Sequence, residues 1–312
     1  MTEFHSKDRF DEVKENLKIR VNETHPLDLF LGKSEDGYPY LEFEGYFKNK
    51  KVLGTSTIAV RQYASDNGKK SIFFLLTDLQ LINNFCAFVD DMVISSDEID
   101  NPDTGYTFLT DRFQTWKRTF GSHPKLSTSE VQGLIGELLF LKDTCIPKYG
   151  ESTAVAGWSG SEKTSKDFSF EDFWYEIKTT SNSKRSITIT SLGQLESTQP
   201  GYLVTYILDK RSEIGSGIEL NSLVHEIDNS FKNVESKIIF RQKLFDAGYI
   251  LGQPDTDNYS SQIYELIACE MFKVDDKFPI IRRKDIDQRI SSVSYGISLN
   301  DIEELKCAEE QK

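Results

Sequence analysis

Apolar residues recur along this chain with two periods, and each change of period marks an element. Residues 38–45 and 51–63 alternate or are β-branched, which predicts strands of an antiparallel sheet. Residues 71–76 (SIFFLL) read as a short apolar strand. Thr77 and Gln80 have capping-box spacing, and Ile82, Phe85, Cys86, Val89 and Val93 then follow at helical period. A second helix is expected over residues 107–120, with Leu109, Phe113, Trp116 and Phe120 on one face. Residues 121–124 (GSHP) break it and predict a lobe boundary.

A third helix has the strongest signal. Ser127 and Glu130 form a capping box, and Val131, Leu134, Ile135, Leu138 and Leu139 make an apolar stripe. Beside it runs a row of Gly133, Gly136, Glu137 and Phe140. Two interior glycines cost about 1 kcal/mol each relative to alanine, so close approach to a sheet is expected as compensation, with Glu137 carried toward that sheet. After a polar loop at 157–165, residues 166–169 and 173–178 predict a tight hairpin. Residues 187–190 and 201–208 predict further strands, and Leu220, Leu223, Val224, Ile227 and Phe231 an amphipathic helix. Another helix ends at Ala247-Gly248, and extended segments follow at 264–274, 278–282 and 292–299. The expected class is α/β: a mixed central sheet flanked by helices, with an N-terminal α+β lobe (1–121), a core (122–235) and a C-terminal β-rich extension (236–312).

Chemistry concentrates in the hairpin. Side chains alternate along a strand, so Trp174, Glu176 and Lys178 share one face, and Asp167 on the preceding strand can lie opposite them. Two adjacent carboxylates repel, which favours a divalent cation between them. Hard oxygen ligands suit Mg²⁺, with Mn²⁺ as a substitute. The spacing alone carries little, because acidic-x-Lys recurs at Glu12/Lys14, Glu235/Lys237, Asp275/Lys277 and Glu304/Lys306. What sets Glu176 apart is its apolar strand, the acid before it and the glutamate-bearing helix upstream. The plain alternative is a solvated strand face with an ion pair that contributes about 0.2–1 kcal/mol. Lys184 and Arg185, in the loop after this strand, are candidate phosphate contacts.

Composition narrows the setting. A formal net charge of −13 over 312 residues argues against a general nucleic-acid coat protein, though not against a nuclease with local cationic clusters. The four cysteines are scattered without a CxxC pair, which argues against a zinc site or disulfide framework and fits a reducing cytoplasm. No apolar run approaches the ~18 residues of a membrane span, and the first residues have no signal-peptide apolar region. The histidines show no ligand spacing, and no GxxxxGK[ST] is present.

Taken together, GLIGELLFL (133–141), KDF around Asp167 and WYEIKTT (174–180) resemble the PD-(D/E)XK nuclease superfamily. More narrowly, the chain resembles the PD-(D/E)XK motif proteins found beside bacterial restriction and phage-defence genes. That likeness extends to TWKRTF, ITITSLGQL, KFPII and VSYGISL. The resemblance implies a restriction-endonuclease-like core with Asp167, Glu176 and Lys178 as signature residues, Glu137 as the accessory helix acid, and Gln194 near the DNA backbone. Lys166 stands where the name-giving proline would be. The expected activity is Mg²⁺-dependent cleavage of double-stranded DNA in a restriction or phage-defence system. The ends of the chain would supply DNA contacts, a homodimer interface or a surface for defence partners, among them an ATPase. One rival keeps the fold as a DNA-binding or assembly subunit that does not cut; another is a scaffold whose acidic surface meets a protein partner.

Overall fold

The computed structural model describes residues 4–119, 126–159, 166–211, 217–249, 251 and 259–307, and the chain divides into two compact units. The expected boundary at 121–124 lies outside the described residues, as do residues 160–165 of the polar loop.

The first unit comprises residues 1–125 and 250–256. Its helix α1 (Ser6–Glu12) precedes five strands: β1 (Lys18–Arg20), β2 (Asp28–Lys33), β3 (Pro39–Gly45), β4 (Ile58–Ala64) and β5 (Lys70–Leu76). All pair antiparallel, in the order β1-β2-β3-β5-β4. The alternation read from sequence holds: Leu41, Phe43, Ile72 and Phe74 are buried, and so is Leu29 on the strand that pattern reading missed. β4 starts seven residues later than expected, because Thr55 accepts from the amides of Thr57 and Ile58 and turns the chain first. Helix α2 (Ile82–Ser95) is introduced by a 3₁₀ turn that Asp78 caps through the Gln80 amide, so the capping residue is Asp78 and not Thr77. Helix α3 (Pro102–Thr119) begins earlier than the apolar stripe implied, with Pro102 in its first turn and Asn101 accepting from the Thr104 amide.

The second unit comprises residues 126–249 and 257–312. It opens with α4 (Thr128–Phe140), whose Ser127/Glu130 capping box is present as read. A π-helical turn at Leu141–Cys145 leads to α5 (Ile146–Tyr149) and α6 (Glu151–Gly157). Strands β6 (Phe168–Ser169), β7 (Trp174–Thr180) and β9 (Gly201–Lys210) build the sheet together with β10 (Tyr264–Val274), in the order β10-β9-β7-β6. β7 and β9 are parallel and the outer pairings antiparallel, so the sheet is mixed, as expected of the restriction-endonuclease-like class. Helices α7 (Leu220–Ser230) and α8 (Val234–Asp246) follow β9. α7 packs on α4, and α8 on α6.

Strand β8 (Ser186–Ile189) leaves this sheet and pairs instead with β11 (Tyr295–Ser298). The turn between β7 and β8 holds Arg185 at φ 41°, a left-handed conformation that costs about 1–3 kcal/mol for a side-chain-bearing residue. The ribbon closes over one sheet face through a cluster of Trp174, Ile187, Ile189, Leu203, Phe272 and Ile297. Residues 278–282 form no strand; Phe278 is buried in that cluster against Phe272.

On the opposite face, α4 lies against β7 and β9. A Cβ added at Gly136 would sit 2.5 Å from Thr179 Cγ2 and 3.5 Å from Ile177 Cγ2, so this glycine permits the helix to approach. Gly133 meets nothing within 4 Å, and the close approach expected there is absent: that residue points away from the sheet. The two glycines should therefore respond oppositely to substitution. Gly136→Leu is expected to destabilise the unit by about 1–3 kcal/mol through overpacking. Gly133→Ala should raise stability by at most about 1 kcal/mol through helix propensity. Chemical denaturation of both variants checks this, and similar effects at the two positions would contradict the packing described.

Candidate active site

The short length of β6 creates the site. β6 pairs only Phe168 and Ser169 with Tyr175 and Trp174, so no strand is registered beside β7 from Glu176 onward on that edge among the described residues. Asp167, immediately before β6, fills the gap with its side chain: Oδ2 accepts from the Ile177 amide at 2.8 Å. A backbone donor that a longer strand would have paired thus fixes the first carboxylate.

Glu176 projects from the same edge and is only 1% exposed. Its Oε1 accepts from Lys178 Nζ at 2.6 Å, two residues along the same strand face. Its Oε2 is buried with no hydrogen-bond partner. Glu137 reaches this edge from α4, and its Oε2 accepts from Trp158 Nε1 at 2.7 Å. The three acids and Lys178 feel one another electrostatically. Structure therefore brings together Asp167, Glu176, Lys178 and Glu137 from three separate stretches of sequence.

Their protonation follows from that crowding. Burial, then the charge of Asp167, pushes Glu137 up to about 8, against the hydrogen bond from Trp158. Glu176 is pushed to about 8 by burial and Asp167, with Lys178 opposing. Asp167 is raised by burial, and Lys178 and the Ile177 amide resist that rise.

Lys166 is the site residue that sequence reasoning undervalued, since it was noted only as a replacement for proline. It is buried, with Nζ 3.4 Å from the centre of the Trp174 ring, and it donates to the carbonyls of Gln194 (2.7 Å) and Glu196 (3.4 Å). Burial pulls its ammonium down to about 8, while Glu176 and Asp167 favour the charged form. Its signal in the sequence was a lysine directly beside the first acid. Trp158 was missed too, because the indole partner of Glu137 lies 21 residues downstream of it.

The remaining candidates lie further out. Gln194 ends a 3₁₀ turn, its side chain accepts from the amide (2.7 Å) and hydroxyl (3.2 Å) of Thr190, and its carbonyl accepts from Lys166. Arg185 donates to Glu270 at 3.0 and 3.3 Å and to Asn300 at 2.7 Å, so its guanidinium ties the turn to β10 and the C-terminal segment. Lys184, its neighbour, is exposed.

Among the described residues no group of three or more histidine, cysteine, aspartate or glutamate side chains is gathered so that it could hold a metal ion as it stands. The donor set nevertheless fits a small hard cation. Each of the three carboxylates has one oxygen fixed by a protein donor, and the unpartnered buried Oε2 of Glu176 is an acceptor that a cation or its water would satisfy.

A mixed sheet carrying an acid before one strand, Glu-x-Lys on the next and a helix acid at the same edge defines the restriction-endonuclease-like class. The chain belongs to the family described as "Putative PD-(D/E)XK family member, (DUF4420)", whose model matches residues 4–300. Comparisons with the curated proteins and with solved structures gave no match. Among the described residues no helix is long and apolar enough to cross a membrane.

The raised carboxyl groups predict how metal-free stability varies with pH. Between the ordinary 4.5 and about 8, the native state keeps protons on Glu137 and Glu176 that the unfolded chain has released. Stability should then fall as pH rises through that window. Melting temperatures in chelator at about pH 5 and about pH 8 test this, and Glu176→Gln should flatten the decline. An equally steep decline in that variant would mean that Glu176 is ionised throughout.

Proposed function

We propose that the protein is a Mg²⁺-dependent DNA endonuclease of a bacterial restriction or phage-defence system, with Mn²⁺ able to substitute. The observation that carries this reading is the gathering of Asp167, Glu176 and Glu137 with Lys178 at the open edge of β7. Family membership supports phosphodiester hydrolysis, and the likeness of the quoted motifs to defence-associated proteins supports DNA as the substrate.

The chain's own residues divide the work. Asp167, held by the Ile177 amide, and Glu176, with its unpartnered Oε2, would be the primary oxygen donors to the metal, and Glu137 the accessory donor. A bound divalent ion supplies an activated water and offsets charge on the attacked phosphate. Lys178, a cation and so not a ligand, would orient the attacking water through its ammonium and steady the charge accumulating on the phosphate oxygens. Lys184, exposed on the adjoining loop, contacts the DNA backbone.

Lys178→Ala should lower metal-dependent plasmid nicking by about 10²–10³-fold while leaving metal-induced stabilisation in place. Asp167→Ala should abolish both, because a ligand that binds only the native state raises its stability. Lys184→Ala should weaken binding and reduce its salt dependence without ending cleavage. A Lys178→Ala protein that cuts at the wild-type rate would remove the catalytic assignment. Salt-dependent DNA binding by a wild-type chain that never cuts would instead identify a silent binding subunit.

A further inference from the structure

Glu137 is the one acid of the cluster that comes from a helix, and it can take part only if its flexible side chain is aimed at the β7 edge. The aim is set from outside the three signature elements. Trp158 is fully buried at the end of α6, and its Nε1 donates to Glu137 Oε2 at 2.7 Å. An indole N–H can only donate, so this contact fixes one carboxylate oxygen of Glu137 and leaves the other uncommitted to the indole.

Trp158 is itself tied to the first acid. It forms an antiparallel bridge with Phe168, and the next residue, Ser159, donates its amide to the Asp167 carbonyl at 2.8 Å and its hydroxyl to the Lys166 carbonyl at 3.1 Å. One two-residue segment therefore sets the position of Glu137 by a side chain and that of Asp167 by the backbone. Behind it stands α8: Phe240 packs on the indole with ring centres 5.9 Å apart, and Lys243 Nζ donates to the carbonyls of Ala156 and Trp158.

We infer that Trp158 is a positioning residue that orients Glu137 toward the metal-binding edge, and that α8 serves the site by holding Trp158 in place. The inference rests on the metal-dependent reading above. Partners that fix a metal ligand from behind are worth about 10–100-fold in metal affinity. A buried indole donating to the accessory acid belongs to that category of contact.

Trp158→Phe keeps an aromatic ring against Phe240 while removing the donor and part of the buried ring volume. Mn²⁺ titrations followed by thermal shift should show the stabilisation midpoint of this variant raised about tenfold, measured from its own, lowered metal-free melting temperature. In a Glu137→Gln background, the same substitution should shift the midpoint no further, because the two residues act through one contact. In metal-free protein, the Trp158 indole N–H resonance, assigned by its loss in Trp158→Phe, should move in Glu137→Gln. Asp167→Asn is the reference that loses the metal response altogether. If Asp167→Asn loses the response but Trp158→Phe retains the wild-type midpoint, Trp158 has no positioning role and the nuclease reading stands. A Trp158→Phe shift that persists in full in the Glu137→Gln background would show a general packing effect and also overturn the inference. A wild-type chain insensitive to Mn²⁺ and Mg²⁺ would sink the metal reading, and the inference with it.

Discussion

Like charges crowded in a poorly hydrated place repel, and the second unit is organised around that repulsion at Glu137, Asp167 and Glu176. Left without partners, the buried carboxylate of Glu176 and the half-buried ones of Glu137 and Asp167 would be costly to hold together. Each is met by a different kind of donor: a backbone amide for Asp167, an ammonium for Glu176 and an indole for Glu137. Above about pH 8, where Glu137 and Glu176 would both be ionised, three acids face Lys178 and Lys166 and the balance at the site turns negative. A divalent cation would correct it.

Bringing the acids together is a packing problem first. Glu137 reaches the sheet edge because Gly136 lets α4 settle on Thr179 and Ile177. Asp167 and Glu176 meet at one edge because β6 is too short to pair the rest of β7. A longer β6 would take the Ile177 amide for its own ladder and displace the Asp167 side chain. The brevity of one strand and the absence of one side chain therefore decide whether the site exists.

The outer parts of the unit hold this arrangement still. Arg185 and Lys306 both pair with buried Glu270 on β10, which fastens the β7–β8 turn and the C-terminal segment to the sheet. Arg241 of α8 grips Asp228 of α7 through two hydrogen bonds at 2.6 and 2.8 Å, fixing the helix that backs Trp158. The β8–β11 ribbon covers the face that carries Trp174, and so keeps water from the ring on which Lys166 rests. Residues beyond 236, expected from sequence as an extension, supply α8, β10 and β11 to these supports.

Local chemistry was enough to read several features in the sequence. The Ser127/Glu130 box, the stripe of α4, the Asp167–Glu176–Lys178 hairpin and the mixed α/β class all follow from contacts within a few residues or from strict periods, which a sequence records directly. Short β1 and β2 escaped because a three-residue strand has no period to detect, and β2 follows a polar run. Long-range contacts were invisible for a different reason. Which of Gly133 and Gly136 faces the sheet, that Arg185 pairs with Glu270, that β8 joins β11, that Trp158 donates to Glu137 and that Lys166 donates to the Gln194 carbonyl all depend on residues distant along the chain. The sequence by itself determined the elements and the chemical types at the hairpin. Only tertiary structure decided which charges share a buried edge and which donors hold them, because electrostatic and packing energies depend on distance in space and not on separation along the chain.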